Sequence, residues 1–226
     1  MRQLVRAGYD CIAPRFDAWA QRIRRDERRR YADYVVRGIA PGGAILELGC
    51  GTGLESSRAF AAHGRWVGVD LSWSQLAVAK RAMPGACLIH ADMTELGIRP
   101  ASLDAVVAFY SIIHVPRHRH AALLTDIATW LRPDGLFVAA FGTRDAAVDI
   151  APEWLGVPMF WSSHTVDVTR ALIRRAGLDV RCEAVETAEE DGRPISFYWV
   201  CARRLASRAE TSGPRAAPAG LRRPSG

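Results

Sequence analysis

Residues 45–53 read ILELGCGTG, an apolar run that leads directly into a turn with three glycines. The run has the length of a buried strand, and residues 54–63 after it have the pattern of a helix. Glycine lets the backbone turn tightly and approach a ligand with no Cβ in the way. The stretch therefore predicts a strand, a ligand-binding loop and a helix in succession.

Strand and helix patterns alternate along the rest of the chain. Further strand-like runs are 66–69, 86–89, 103–109, 136–141, 178–186 and 195–203, and helix patterns lie at 73–83, 117–131 and 165–176. Such alternation indicates a parallel sheet with helices on both faces. The turn-like residues 189–194 join the last two strands as a hairpin, which adds one antiparallel strand. We predict an α/β fold with a Rossmann-like, mostly parallel seven-stranded sheet that contains one antiparallel strand.

The remaining segments are assigned around this domain. Residues 1–38 are predicted to form an N-terminal helical segment, and residues 39–205 the α/β domain with an insertion at about 143–164. Residues 206–226 are rich in Ala, Arg, Pro, Ser and Gly and bury too little apolar surface to offset the cost of ordering. That segment is predicted to be a disordered basic tail.

Charge and composition argue against several classes of partner. Residues 204–226 hold five arginines and one glutamate, which account for four of the six net positive charges, so charge alone gives no basic face for nucleic acid. The five cysteines are scattered and form no metal-binding motif. No apolar run has the length of a membrane span or a signal peptide. We expect a cytoplasmic monomer or homodimer with no metal site.

Acidic residues follow the next two strands at the same edge of the predicted sheet. Asp70 ends the strand 66–69, and a carboxylate there can accept hydrogen bonds from both hydroxyls of a ribose. Its alternative role as a helix cap can be filled by Ser72. Asp92 ends the third strand, where it can hold an adenine amino group while Met93 packs on the ring. Asp92 as a plain loop or cap residue is the alternative.

A dinucleotide-binding site is the main alternative for the predicted fold. Such sites favour GxGxxG, but Leu54 stands at the third glycine position, and Gly53 gives GxGxG instead. Glu47 precedes the turn by two residues, where it is badly placed for a pyrophosphate and well placed to hold an amino acid's ammonium through a water molecule. The sequence therefore favours a nucleoside that carries an amino acid.

This set of segments resembles the class I methyltransferases that use S-adenosylmethionine (SAM). Residues 45–53 look like their motif I, E-x-G-x-G-x-G, and the likeness continues through 67–72, 91–93, 103–107 and 131–136. It covers roughly residues 44–142 and implies the class I methyltransferase fold with SAM as the cofactor.

The resemblance also implies which residues contact SAM. The residues expected to contact the methionine part of SAM are Glu47, Gly49, Gly51 and Gly53. Asp70 is expected to contact the ribose, and Asp92 and Met93 the adenine. Gln75 stands where the family has a methionine, so the adenine contact of that methionine becomes polar or is lost. Further expected cofactor contacts are Cys50, Thr52, Leu71, Tyr110 and Ser111.

Residues 9–16, YDCIAPRF, resemble the Y-D-x-x-A-x-x-Y/F segment of the small-molecule branch of this family. In that branch the segment forms a lid whose tyrosine lies over the cofactor. The resemblance implies that Tyr9 contacts SAM and takes part in catalysis and that Phe16 contacts the acceptor. Tyr9 as a plain helix-packing residue is the alternative.

The acceptor side of the site is predicted from single residues. Holding an acceptor in line with a methyl group can be worth roughly 7–11 kcal/mol, so a base is needed only where the acceptor keeps its proton. His114, just past the fourth strand, is the best candidate for that base, or else shapes the acceptor pocket. Trp154, Phe160 and Trp161 of the insertion either wall an acceptor pocket or pack the insertion on the sheet.

An arginine-rich run, residues 22–30, has two interpretations. It is either a solvated helix face or an electrostatic attraction for an acidic acceptor.

The predicted function is methyl transfer from SAM to a nitrogen, oxygen or carbon of a small molecule, with secondary metabolism as one setting. An RNA or protein methyltransferase is one alternative, although Phe109-Tyr110-Ser111-Ile112 is not an N/D-P-P-Y motif. A SAM-binding protein that transfers no methyl group is the other.

Overall fold

The structure, a computed structural model, describes residues 1–205, so the predicted tail at 206–226 lies outside the described residues. The helices are α1 Arg2–Ala20, α2 Arg25–Gly38, α3 Glu55–His63, α4 Trp73–Ala82, α5 His120–Trp130 and α6 Val166–Arg175. The strands are β1 Ala44–Leu48, β2 Arg65–Asp70, β3 Cys87–His90, β4 Leu103–Ala108, β5 Leu131–Gly142, β6 Ala146–Trp154, β7 Val157–Ser163, β8 Leu178–Glu190 and β9 Arg193–Arg204.

Seven of these strands form one sheet in the order β3-β2-β1-β4-β5-β9-β8. β1 to β5 are all parallel to one another, and β9 is antiparallel to both β5 and β8. The predicted fold, a mostly parallel seven-stranded sheet with one antiparallel strand, is confirmed. Chain order reverses between β1 and β4, which opens a crevice at the carboxyl ends of these two strands.

Helices cover both faces of the sheet, because its central strands alternate between two apolar clusters. In β1, Ile45 packs with Val35 of α2 and Phe60 of α3, whereas the next residue, Leu46, packs on the opposite face with Ile127 of α5. Side chains of a strand point alternately to its two faces, so β1 is buried on both sides. The rigid double layer fixes the positions of the loops that follow β1, β2 and β4.

The N-terminal region differs in detail from the prediction of a single helical segment. Two helices, α1 and α2, are separated by residues 21–24, and Arg24 has a left-handed backbone with φ 55°. None of the helices in residues 1–205 combines the length and the apolar character required to cross a membrane.

The insertion after β5 forms an antiparallel hairpin of β6 and β7, a structure that the sequence analysis did not assign. Val157, Met159 and Phe160 of this hairpin pack against Val5 and Ile12 of α1. The insertion and α1 therefore support each other across the crevice at the carboxyl edge of the sheet.

Candidate active site

A cavity of about 1150 Å³ lies at the carboxyl ends of β1, β2 and β4, under α1 and the β6–β7 hairpin. Ligand pockets for one small molecule usually enclose about 300–1000 Å³. This cavity therefore has room for two ligands side by side.

The glycine loop after β1 forms one wall of the cavity. Gly49 has φ 75°, and a Cβ there would lie 2.3 Å from the Cβ of Ser111, so only glycine lets the loops after β1 and β4 meet. Gly51 has φ 56°, and a Cβ there would point between Phe16 and Gln75 without a clash. Gly49, Cys50 and Gly51 line the cavity, as predicted for ligand contacts.

Two other residues of the predicted loop face away from the cavity. A Cβ on Gly53 would lie 2.6 Å from Met83 Cε and 3.3 Å from Ala79 Cβ, so this glycine serves the packing of α4. Thr52 is 1% exposed, and its hydroxyl donates to Asp17 Oδ1 at 2.6 Å. Neither Gly53 nor Thr52 lines the cavity, and their contact with a cofactor stays a prediction.

Asp70 lies at the end of β2 with its carboxylate held by the backbone. Its Oδ2 accepts from the Gly51 amide at 2.8 Å, and its Oδ1 accepts from the Ser72 amide at 2.8 Å. Burial raises its pKa, and these two hydrogen bonds oppose that effect. Ser72 caps α4 by accepting from the Gln75 amide, so Asp70 is free of that role and lines the cavity beside Leu71.

Glu47 is 4% exposed and lines the same cavity. Its Oε2 accepts from Trp66 Nε1 at 3.0 Å. Burial raises the pKa of its carboxyl to about 8, so an ammonium group beside it would favour its ionised form.

Asp92 lies two residues beyond β3, at the other end of the cavity. Its Oδ1 accepts from the amide and the hydroxyl of Thr94 at 2.9 and 2.7 Å, and its Oδ2 accepts from Arg2 at 3.3 Å. Burial alone would raise the pKa of Asp92, but these hydrogen bonds hold it below its ordinary value. Met93 also lines the cavity, close to Gly49.

Gln75 is a buried polar residue without a partner. It is 1% exposed, and both its amide oxygen and its amide nitrogen lack a hydrogen-bond partner among residues 1–205. The side chain lies against Gly51 and lines the cavity. Buried amides are normally satisfied, so this one carries an unmet need for hydrogen bonds in the wall of the cavity.

We expect Gln75→Met to raise the stability of the ligand-free protein by about 1 kcal/mol, because it removes an unsatisfied buried amide at similar volume. Urea unfolding without ligand measures the change, with the exposed Gln3→Met as the matched control. A loss of stability in Gln75→Met would mean that the amide has a partner in the folded protein.

Tyr9 of α1 and His114, which follows β4, form a buried pair. The Tyr9 hydroxyl lies 2.8 Å from His114 Nε2, and His114 Nδ1 lies 2.8 Å from the Phe160 carbonyl oxygen. A carbonyl only accepts, so Nδ1 carries the proton and Nε2 accepts from the tyrosine. Burial lowers the pKa of His114 to about 4 and raises that of Tyr9. In this arrangement His114 is neutral, and its basic nitrogen faces Tyr9 rather than an acceptor.

Aromatic rings form the opposite wall of the cavity. The Tyr9 ring packs edge-on against Phe16 at 5.2 Å and Trp154 at 5.8 Å, and Trp161 packs against Trp154 at 5.6 Å. All four residues line the cavity. Phe160 is fully buried beneath α1 and has no surface to offer, so the prediction that its side chain walls the pocket is wrong.

Comparisons with known proteins agree with this geometry. Residues 45–135 match the family model of a methyltransferase domain. A demethylmenaquinone methyltransferase of Renibacterium salmoninarum is 30% identical over 138 residues, 60% of this chain and 57% of that protein. The dTDP-3-amino-3,6-dideoxy-alpha-D-glucopyranose N,N-dimethyltransferase of Streptomyces fradiae is 32% identical over 131 residues, 56% and 51% of the two chains. Residues 45–135 therefore resemble a methyltransferase domain, and the chain has the fold of the class I methyltransferases.

The chain spans just over half the length of these two curated relatives. Among solved structures, it resembles the 1,6-didemethyltoxoflavin-N1-methyltransferase of Burkholderia thailandensis, with a TM-score of 0.66 at 16% identity over 89% of this chain and 87% of the other. That likeness extends the shared fold beyond the segment that the family model matches.

The cavity also contains two arginines that the sequence analysis named only as part of the run 22–30. Arg24 and Arg28 are 7% and 9% exposed and line the cavity, whereas Arg22, Arg25, Arg29 and Arg30 of the same run are exposed. The interpretation as a solvated helix face is therefore wrong for two of the six arginines. Their spacing of four residues, which places them on one face of a helix, was the available signal.

Tyr110 and Ser111 line the cavity after β4, and their contact with a cofactor stays a prediction. Tyr110 has a left-handed backbone with φ 57°, and its hydroxyl donates to Glu27 Oε2 at 2.7 Å. Ser111 donates to the Leu48 carbonyl oxygen at 2.5 Å, which ties the β4 loop to β1. Residues 1–205 contain no group of three or more His, Cys, Asp or Glu arranged to hold a metal ion.

Proposed function

We propose that this protein transfers a methyl group from SAM to a nitrogen, oxygen or carbon atom of a small molecule. The observation that carries the proposal is the row of carboxylates Glu47, Asp70 and Asp92, which line one cavity beside Gly49 and Gly51. Two relatives whose names state methylation of a quinone precursor and of an amino sugar support a small acceptor.

The residues present fit SAM along one side of the cavity. Glu47 suits the ammonium of the methionine part, since a cation there offsets the cost of burying its carboxylate. Asp70 and Leu71 suit the ribose, and Asp92 and Met93 suit the adenine. Gly49, Cys50, Gly51, Tyr110 and Ser111 lie between them, next to the remaining atoms of the cofactor. When bound, SAM supplies an electrophilic methyl group on its sulfonium.

The protein's own contribution is to position the acceptor and to exclude water. Phe16, Trp154 and Trp161 hold the acceptor body, and α1 covers the cavity through Asp10, which accepts from Ser72 Oγ at 2.6 Å. Such positioning is worth roughly 7–11 kcal/mol of the barrier. Residues 1–38 act as the lid in this proposal.

Tyr9 is the member of the buried pair that touches the acceptor, and His114 is its positioning residue. A proton leaving the acceptor passes to the Tyr9 oxygen while the tyrosine proton moves to His114 Nε2. Tyr9 is therefore neutral before and after the transfer, and the positive charge lies on His114. This route matters for acceptors that are still protonated when attacked.

Several further expectations accompany this proposal. The acceptor is a small molecule and not a nucleic acid, the protein is a monomer or a homodimer, and it works in the cytoplasm. Size-exclusion chromatography with light scattering tests the oligomeric state directly.

The test is methyl transfer by the purified full-length chain. We expect calorimetry to detect S-adenosylhomocysteine (SAH) binding, and incubation with SAM and a panel of phenols, amines and enols to give SAH and a product heavier by one methylene unit. Absence of any binding of SAM or SAH, with clear binding of a pyridine coenzyme, would overturn the proposal. Binding without product from any panel member would favour a protein that uses SAM without methyl transfer.

We expect Tyr9→Phe to lower kcat about tenfold or more on an acceptor identified in this panel, because it keeps the ring and removes the proton path. KM for SAM should change little. Tyr34→Phe is the matched control, since Tyr34 is partly buried on α2 and does not line the cavity. An equal kcat in Tyr9→Phe and wild type would assign Tyr9 to packing alone.

A further inference from the structure

The cavity extends past the proposed cofactor residues to the turn between β8 and β9. The lining here includes Glu190 and Asp191, residues 193–197 of β9, Ile23 and Arg24 just before α2, Arg28 of α2, and Tyr110 of the β4 loop. None of these side chains except Tyr110 is needed for SAM in the arrangement proposed above. This end is therefore part of the acceptor space.

The two arginines at this end differ in how their charges are compensated. Arg24 donates to the carboxylates of Glu27, at 3.0 Å, and Glu190, and its guanidinium lies 4.7 Å from the Phe197 ring centre. Arg28 forms no ion pair with any residue of 1–205. Arg24 is thus held by protein anions, and Arg28 is not.

Arg28 uses one corner of its guanidinium within the protein. Its Nη2 donates to the backbone carbonyl oxygens of Ala20 and Ile23, at the C-terminal end of α1. Its Nε and Nη1 have no hydrogen-bond partner within the described chain, and neither atom is sealed from solvent. Burial lowers the pKa of Arg28, as expected for a cation without a nearby ion-pair partner.

We propose, as a refinement that rests on the methyltransferase function proposed above, that Arg28 binds a carboxylate of the acceptor. The Nε and Nη1 of Arg28 each carry a free N–H, and a carboxylate can accept a charge-assisted hydrogen bond from one of them, because these two nitrogens lie on different sides of the guanidinium. Phe16, Trp19 and Trp154 line the same cavity and pack on one another, and Phe16 and Trp154 also contact the Tyr9 ring. The acceptor class is therefore a flat, aromatic carboxylic acid that carries its methyl-accepting atom away from the acid group.

Capping of α1 does not account for all of this arrangement. A cap needs only the Nη2 contacts, and the amide nitrogen of a glutamine supplies them without further free donors. Arg28 is also only 9% exposed, in the wall of a cavity rather than at the surface, where a capping cation would keep its hydration. The glutamates nearby are already engaged, since Glu27 accepts from Arg24, Tyr110 and Trp199.

The test compares acids with their neutral amides on the SAH-loaded protein. Calorimetry is run with matched pairs of probes, 4-hydroxybenzoate with 4-hydroxybenzamide, 3,4-dihydroxybenzoate with its amide, and 4-aminobenzoate with its amide. In the wild type we expect at least one acid to bind about tenfold or more tightly than its amide. Arg28→Gln keeps donors for the α1 carbonyls and should bring that ratio to about one, whereas SAH affinity stays unchanged.

Arg25→Gln is the matched control, since Arg25 lies on the same helix and is exposed beside Glu55. It should keep the wild-type ratio. If Arg28→Gln fails to fold, the wild-type ratio still decides, together with Arg28→Lys, which keeps the charge and should retain part of the preference. Equal binding of acids and amides by the wild type, no binding of either, or a ratio unchanged in Arg28→Gln would overturn the assignment of Arg28.

A preference for amides or amines would also overturn it and point to Glu190 instead. Absence of SAH binding to the wild type is a separate result. It would contradict the methyltransferase function itself and not only the acceptor class.

Discussion

Asp70→Ala is expected to weaken SAH binding by about 100-fold or more. A ribose that donates both hydroxyls to one carboxylate makes two charge-assisted hydrogen bonds, each worth about 1.5–3 kcal/mol. In the structure the Asp70 carboxylate is fixed by the Gly51 and Ser72 amides and lines the cavity, so it is oriented before a ligand arrives. Calorimetric titration with SAH measures the loss.

The same substitution removes the acceptor of two backbone amides and will lower stability as well. Asp104→Ala is the matched control, because Asp104 Oδ2 accepts from the Ala44 amide at 2.7 Å and Asp104 pairs with Arg132, but it lies at the amino end of β4, away from the cavity. We expect Asp104→Ala to lower the free energy of unfolding and to bind SAH like the wild type. Tight SAH binding by Asp70→Ala would remove Asp70 from the cofactor site.

The cofactor half of the site was predictable because its residues are fixed by local rules. A strand, a glycine turn and a helix follow one another within residues 44–63, and parallel strands bring their carboxyl ends to one edge. Glu47, Asp70 and Asp92 therefore line the same cavity, although they lie on different strands or loops. The packing of Gly53 against α4 was not predictable, because the sequence does not say which side of the turn α4 lies on.

The acceptor half was much less predictable, since it is assembled from distant segments. Phe160 and Trp161 are neighbours on β7, and adjacent residues of a strand point to opposite faces. Which of the two faces the cavity depends on how the hairpin packs on α1, and a shift of one residue would exchange their places. Only the structure shows Trp161 at the cavity and Phe160 beneath α1.

The hydrogen-bonded pair of Tyr9 and His114 was partly predictable. Each residue was singled out separately, Tyr9 by its segment and His114 by its position after β4. Their hydrogen bond joins positions 105 residues apart, and it depends on how α1 crosses the sheet. The consequence, a histidine with no free nitrogen for the acceptor, could not be derived from either position alone.

Glu47→Gln is expected to change stability and cofactor affinity in opposite directions. The folded, ligand-free protein holds the Glu47 pKa at about 8, whereas in an unfolded chain the carboxyl has its ordinary value near 4.5. Between these two values the folded state therefore binds more protons, and the stability contributed by the protonated acid is lost as the pH rises from about 4.5 through 8. The amide of the Glu47→Gln variant has no such proton to lose and can still accept from Trp66. The variant should therefore match the wild type near the lower of these pH values and exceed it above the higher one.

For SAH binding we expect the wild type to be better than Glu47→Gln. An ammonium beside Glu47 stabilises the ionised carboxyl and lowers its pKa on binding. Wild-type protein should release a proton when SAH binds near neutral pH, and its affinity should rise as the pH increases toward about 8. Glu47→Gln should bind SAH about 30-fold more weakly at that pH, in line with the loss of one hydrogen bond to a charged group. Calorimetry at neutral pH in phosphate and in Tris, whose ionisation enthalpies differ, measures the proton release directly. The same proton count in Glu47→Gln and wild type would show that the ammonium binds elsewhere in the cavity.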